Sequence, residues 1–354
     1  MFSREPRAPI EVHVFGLPNF LVIEAGETMM IRENRSVWID SANIADDPGP
    51  FCMSFAFDLG ALADSIKKIG LLNPPYVIGK KQGQGFEVVS GYRRVLAVKA
   101  LGWEKVLCKD ISNSVTSPLE YLVFNLYDNL ATRTFNDVEK GMILCRLDPL
   151  VPRKEILEEY MPLLGLPSHE PTLEVYLRVP DLALEIKEAF ARGQLSFQSV
   201  RALEDMDSLS QSQVFKWISE LKFNFNQQRQ FLEILVDLAL KDGISVFEFL
   251  AKEELSRYLE DAIENRPQTA KRTLQALHEL RYPRLTRAER IFREKVANLN
   301  LPEGAILKAP AYFEAPGYCL EVRFRDGKSL KRKMEALLNI KQLANLDDAW
   351  VEKE

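Results

Sequence analysis

The sequence predicts an α+β protein: a small α/β layer near the N-terminus, a long helical middle and a short αβ unit at the C-terminus. Three observations support this. Residues 57–112 switch between helix-period and strand-period segments. From residue 118 onward apolar residues recur almost continuously at helical spacing. After Pro302 strand-like alternation returns before one last helical stretch. A length of 354 residues suggests roughly two to three domains. The pattern changes place divisions between a β-rich extension at 1–45, an α/β domain at 46–134, a helical domain at 135–300 and an αβ unit at 301–354.

Taken in order, IEVHVFG, FLVIEA, TMMIRE and SVWID in residues 10–40 read as short strands between Gly, Pro and Asn. Residues 43–56 are turn-rich and read as a linker. Asp58 suits the N-cap of a helix carrying Leu59, Leu62, Ile66 and Ile69, with Gly70 as its stop. Strands follow at 76–79 and 86–90, a helix runs from Tyr92 to Leu101, and KVLCKDI forms another strand. Helices are then expected near 118–130, 136–147, 153–164, 171–178, 181–192, 197–206, 211–221, 226–241, 245–264, 268–281 and 285–298. At the end, AYFEAPGYCLEVRFRDGK reads as two strands about a Gly turn, and SLKRKMEALLNIKQL as a helix.

The net charge of −5 argues against a wholesale basic coat for nucleic acid. Its distribution is uneven. Residues 51–110 carry nine basic residues and five acids, 111–265 fifteen and twenty-six, and 266–295 nine and three. Two basic islands in an acidic chain are where an anion is expected. The cysteines, Cys52, Cys108, Cys145 and Cys319, are scattered and form no zinc-like cluster. With no apolar leader at 1–7 and no run long enough to span a bilayer, the expected location is the cytoplasm, with no membrane partner.

The most informative local feature is strand FEVV followed by Ser90-Gly91-Tyr92-Arg93-Arg94 at a helix start. Glycine there lets backbone amides approach a ligand, and a helix N-terminus favours anions. Cations in the first turn oppose the helix dipole by roughly 0.3–1 kcal/mol each, a placement that makes sense with an anion bound. Two solvated arginines at a helix start fit the same residues.

LADSIKKIGLLNPPYV and FEVVSGYRRVLAVKALGWEKVLC resemble the ParB/sulfiredoxin-like domain in order and spacing, from about Phe57 to Asp110. Sulfiredoxin's reactive Cys has no counterpart beside Gly91, which argues against that reaction. The segment from Asp128 to Glu139 is similar to the family's E-N-L-Q-R…N-P-I-E stretch. Asp128 stands for its Glu and Asn129 matches its Asn, whereas Ala131 and Thr132 replace the Gln and Arg. The resemblance implies a CTP and Mg²⁺ site. Gly91, Arg93 and Arg94 would hold phosphates, with Ser90, Tyr92 and Arg133 also nucleotide-binding, Pro74 and Pro75 would shape the base pocket, and Asp128 and Asn129 would lie near the metal and triphosphate. A carboxylate and an amide oxygen suit Mg²⁺. Asp128 is the catalytic candidate, and its shorter side chain favours binding over efficient hydrolysis. Asp128 and Asn129 also fit a polar face on a helix whose apolar stripe includes Leu119, Leu122, Val123, Leu126 and Leu130.

Residues 153–206 are similar to the helix-turn-helix region of ParB-like proteins, with the motif near 153–180 and a recognition helix from about His169 to Arg178. That helix offers Arg178 as its one cation beside Glu170 and Glu174, a poor set for reading base edges. The second island offers a ridge of Arg284, Arg287, Arg290 and Arg293 for phosphate contact, or a solvated helix face.

The expectation is a ParB-like, CTP-binding, DNA-associated partition or regulatory protein. It would be a homodimer with nucleotide-gated contacts, and another partition or regulatory protein is a further candidate partner. The alternatives are a metal-dependent nuclease or phosphotransferase using Asp128, and a non-catalytic interaction protein with a degenerate site.

Overall fold

The computed structural model describes residues 35–80, 85–113, 117–261, 265–314 and 317–346. The three strands expected at residues 10–33 lie outside these. The chain is α+β, and it divides into two compact units on either side of Glu204 and Asp205. The expected division at 134/135 lies inside the first unit and that at 300/301 inside the second.

The first unit is built on a four-stranded sheet in the order β1-β4-β2-β3. β1 (Arg35–Asp40) and β4 (Lys105–Asp110) are antiparallel, with Val37 opposite Cys108 and Ile39 opposite Val106. β4 runs parallel to β2 (Tyr76–Gly79), which pairs antiparallel with β3 (Phe86–Ser90). Thus SVWID, grouped by sequence with an N-terminal extension, is an edge strand of the main sheet. Helices α1 (Gly60–Ile69) and α2 (Tyr92–Ala100) pack together and on the sheet. Ile66, Val77, Val88, Val95, Val98 and Val106 form the core between them. The helix starts one residue later than expected, and Asp58 takes the Gly60 amide at 2.9 Å.

Residues 43–56 are not a linker. Ile44 bridges to Phe86, and Phe51, Cys52 and Met53 are buried. Phe51 joins Val89 and Ile111 in a second small core beneath α3 (Pro118–Leu130). The Asn125 amide, buried on α3, donates to the Phe51 carbonyl and fastens the segment down. Turn residues at 46–50 conceal this from a composition reading. The apolar cluster FCMSFAF behind them is what anchors it.

Two helix starts follow sequence chemistry closely. Ser117 and Glu120 form a reciprocal capping box on α3, with Pro118 in the first turn. Asn136 and Glu139 do the same on α4 (Asp137–Leu147). Beyond α4 a helical stretch runs through Arg153–Glu155, a π-helical turn at Ile156–Tyr160, and Met161–Leu163. The wide turn sits where Pro162 cannot donate to a normal ladder. Gly165, at φ +71°, ends it, and Glu170–Arg178 follows as the next helix.

The second unit is mainly helical. Trp217 is fully buried and stacks on Phe231. The helix expected at 245–264 is two, Val246–Leu250 and Glu253–Asp261. The terminal strands also differ from expectation. Cys319–Val322 pairs with Ala305–Lys308, while Ala311–Phe313 is a short 3-10 turn. Pro310 stands between that strand and the turn, and with no N–H to give it cannot extend a ladder. The final helix is Gly327–Leu338, capped by Asp326.

Replacing Asn125 with Ala removes the tether of the 51–55 segment and leaves the Phe51 carbonyl short of a partner. The expected cost is about 1–3 kcal/mol, read as a lower urea midpoint at unchanged slope.

Candidate functional site

The site grows from the turn between β3 and α2. Gly91 lies in the left-handed region at φ +96°. A Cβ there would stand 2.9 Å from the Pro75 side chain and 2.8 Å from Arg94 Nε. No other residue type suits both the backbone angle and the close approach. The first hydrogen bonds within α2 run from the amides of Arg94 and Val95 to the Gly91 carbonyl. The amides of Tyr92 and Arg93 precede them, as the first N–H groups of any helix do.

In front of this turn is a cavity of about 500 Å³, within the ~300–1,000 Å³ usual for small-ligand sites. Among the described residues four cations line it, Arg93, Arg94, Lys109 and Arg133, against one carboxylate, Asp128. Asn73, Pro74 and Tyr76 enter from the β2 side, Asn125, Asn129 and Thr132 from α3 and its end, and Cys52, Met53 and Ser54 from the segment before α1. Pro74, Gly91, Tyr92, Arg93, Arg94, Asp128, Asn129 and Arg133 therefore converge on one cavity. Pro75 and Ser90 stand behind its wall, both buried.

Each charged group is held by neighbours. Arg94 Nη1 donates to the Asn73 carbonyl at 2.8 Å, and Nη2 reaches Asp128 Oδ2 at 3.5 Å. Burial lowers its pKa, and Asp128 works in the opposite direction. Ser90 Oγ donates to the same Asp128 oxygen. Arg93 Nε donates to Ser54 Oγ at 3.1 Å, and its guanidinium lies 4.8 Å from the centre of the Phe57 ring. Arg133 Nε donates to Asn129 Oδ1 at 2.7 Å, and Nη2 to the Met53 carbonyl at 2.8 Å. Burial lowers the Arg133 pKa also, opposed by Glu139. Tyr92 Oη donates to the Asp46 carbonyl at 2.8 Å. Burial raises the Cys52 thiol pKa, so the thiol in the wall stays neutral.

The donor set does not fit a resident Mg²⁺. The Asn129 amide oxygen faces the Arg133 guanidinium, and Asp128 Oδ2 already accepts from Ser90 and Arg94. Among the described residues no group of three or more His, Cys, Asp or Glu is placed to hold a metal ion. A lining of four cations against one carboxylate suits an anion.

Sequence reasoning missed four participants. Lys109 lay in the first basic island without a motif. Ser54 lay in the supposed linker. Asn73 preceded the two prolines without being singled out. Glu139, quoted as part of a helix start, is buried behind the cavity and pairs with both Arg93 and Arg133 at 2.6 Å. The capping-box spacing from Asn136 and its place at the end of the N-P-I-E-like stretch were the available signals for it.

The DNA candidates lie elsewhere. On Glu170–Arg178, Arg178 pairs with Glu204 at 3.3 Å. The exposed Glu170 and Glu174 on that helix are engaged by Arg153. In the second unit, Arg284, Arg287, Arg290 and Arg293 are all exposed on helix Pro283–Asn298. No ion pair is seen for Arg284, Arg290 or Arg293 among the described residues.

The sheet, the glycine turn and the arginine-lined cavity together form an α/β domain with a cation-lined pocket. Residues 51–124 match the ParB N-terminal domain, and the chain carries a ParB-like domain. It is 28% identical over 197 residues to the "Probable chromosome-partitioning protein ParB" of Campylobacter jejuni, covering 54% of this chain and 66% of that one. It is 30% identical over 145 residues to the nucleoid occlusion protein of Bacillus licheniformis, covering 40% and 48%. The chain thus aligns with about half to two thirds of the length of these relatives. A C-terminally truncated ParB from Caulobacter crescentus, solved with CTP-gamma-S, overlaps 49% of this chain and 94% of its own, at 19% identity and a TM-score of 0.25. A superposition at that score relates no individual side chains. Among the described residues no helix is long and apolar enough to cross a membrane.

Gly91→Ala should cost about 1–2 kcal/mol for the left-handed backbone alone, seen as a lower thermal midpoint, with the Pro75 and Arg94 contacts adding to it.

Proposed function

We propose that this protein binds a nucleotide, CTP, in the Gly91 cavity and associates with DNA as a homodimer, in chromosome partition or nucleoid occlusion. The observation that carries the nucleotide reading is the meeting of a glycine-opened helix N-terminus with four lining cations in one cavity, inside the segment that matches the ParB N-terminal domain. Helix-end amides and arginine forks both suit phosphate oxygens. CTP is the nucleotide that the resemblance of the three segments implies. A Mg²⁺ would have to arrive with the phosphates, since the protein offers Asp128 alone. Hydrolysis by this Asp, shorter than the family's Glu, is a secondary expectation.

The names of two relatives, chromosome partition and nucleoid occlusion, support DNA as the partner. Within the chain the support is the ridge of Arg284, Arg287, Arg290 and Arg293. It suits phosphate contact, since exposed arginines commonly bond phosphate oxygens. The helix ending at Arg178 is poorly equipped to read bases, its exposed face carrying Glu170 and Glu174.

Calorimetric titration with CTP, ATP, GTP and UTP tests the nucleotide. CTP should bind and the others more weakly. Equal heats with all four, or none with any, would sink the claim. Arg94→Ala should weaken CTP by about tenfold or more, the worth of one charge-assisted hydrogen bond.

Changing Arg284, Arg287, Arg290 and Arg293 to Ala should weaken duplex DNA binding alike for all sequences. The log–log salt slope should flatten by about 0.9 for each phosphate that is no longer neutralised. An unchanged slope removes the ridge from the DNA interface.

A further inference from the structure

Glu139 does not line the cavity, yet its carboxylate is saturated by groups that do or that flank it. It is 1% exposed. Oε1 accepts from the Phe55 amide at 3.0 Å and from Arg93 Nη2 at 2.6 Å. Oε2 accepts from Arg133 Nη1 at 2.6 Å and from the Asn136 amide at 3.1 Å. These donors come from the segment before α1, from α2, and from the α3–α4 junction. A buried carboxylate requires such partners. The reverse dependence matters more here. A guanidinium is a planar fork, so fixing one edge aims its remaining N–H groups. Arg93 lies close enough to Arg133 to disfavour its charge, and the carboxylate between them offsets that repulsion.

We infer that Glu139 is a positioning residue of the anion cavity: without touching the ligand, it holds Arg93 and Arg133 as one paired cationic wall toward the phosphates. The inference rests on the nucleotide reading above. It also makes the 51–55 segment, α2 and the start of α4 parts of one site, because a single carboxylate joins them.

The test is CTP titration of the full chain as wild type, Glu139→Gln, Glu139→Asp, Arg93→Ala, and Arg93→Ala with Glu139→Gln, each checked for folding by circular dichroism. Gln keeps the shape but turns an N–H toward one of the two arginines. Binding should weaken about tenfold or more in Glu139→Gln. Because Glu139 acts through the arginines, the effects of changing it and Arg93 together should be less than the product of the two single effects. If Glu139→Gln does not fold, Glu139→Asp carries the test: it keeps the charge but falls a methylene short of reaching both partners, and should weaken CTP several-fold. Unchanged affinity in a folded variant, or fully multiplicative effects, overturns the positioning role while leaving the nucleotide reading intact. No binding by the wild type overturns both.

Discussion

A carboxylate in a protein interior must find donors for both oxygens, and in this chain that requirement organises the first unit. Glu139 draws Arg93 from α2, Arg133 from the end of α3, and the Phe55 amide from the segment before α1. Removing one partner from such a cluster typically costs about 3–5 kcal/mol, because the remaining charge is left buried and unpaired. The cluster is therefore a structural commitment. It also joins two of the four cations that line the cavity.

The cavity in turn follows from two backbone facts. Gly91 permits the left-handed turn that brings the Pro75 ring against the start of α2. Asn125 holds Phe51, so that Met53 and Ser54 form a wall rather than an open strap. Neither fact concerns charge, yet together they turn a basic segment into a partly enclosed site. Enclosure matters because a phosphate meeting partly desolvated arginines interacts more strongly than one meeting solvated ones.

The charge distribution has a matching logic. The +4 island at 51–110 supplies Arg93, Arg94 and Lys109 to the cavity. The −11 block includes the segment resembling a helix-turn-helix, whose exposed acids are answered by Arg153. The +6 island becomes an exposed ridge in the second unit. The two basic islands thus lie outside the segment that resembles a helix-turn-helix.

The sequence by itself determined the α+β class, the strand–glycine–helix turn at Ser90–Arg94, and the boundaries of α3 and α4, because caps, glycine stops and period-3.6 patterns are local interactions. It also named eight of the residues that line the cavity, since the segments carrying them keep a recognisable order. Only the tertiary structure decided that residues 43–56 are a wall of the site, that SVWID joins the main sheet beside β4, and that the terminal strand pairs with Ala305–Lys308. It also turned Asn129 away from a metal role by facing its oxygen to Arg133, and revealed Glu139 as the shared partner of two arginines. The wall and the carboxylate depend on hydrogen bonds between residues 46, 74 and 84 positions apart, and the main sheet on pairing distant strands, Arg35 with Asp110. A linear pattern shows which groups are present. It does not show which of them meet.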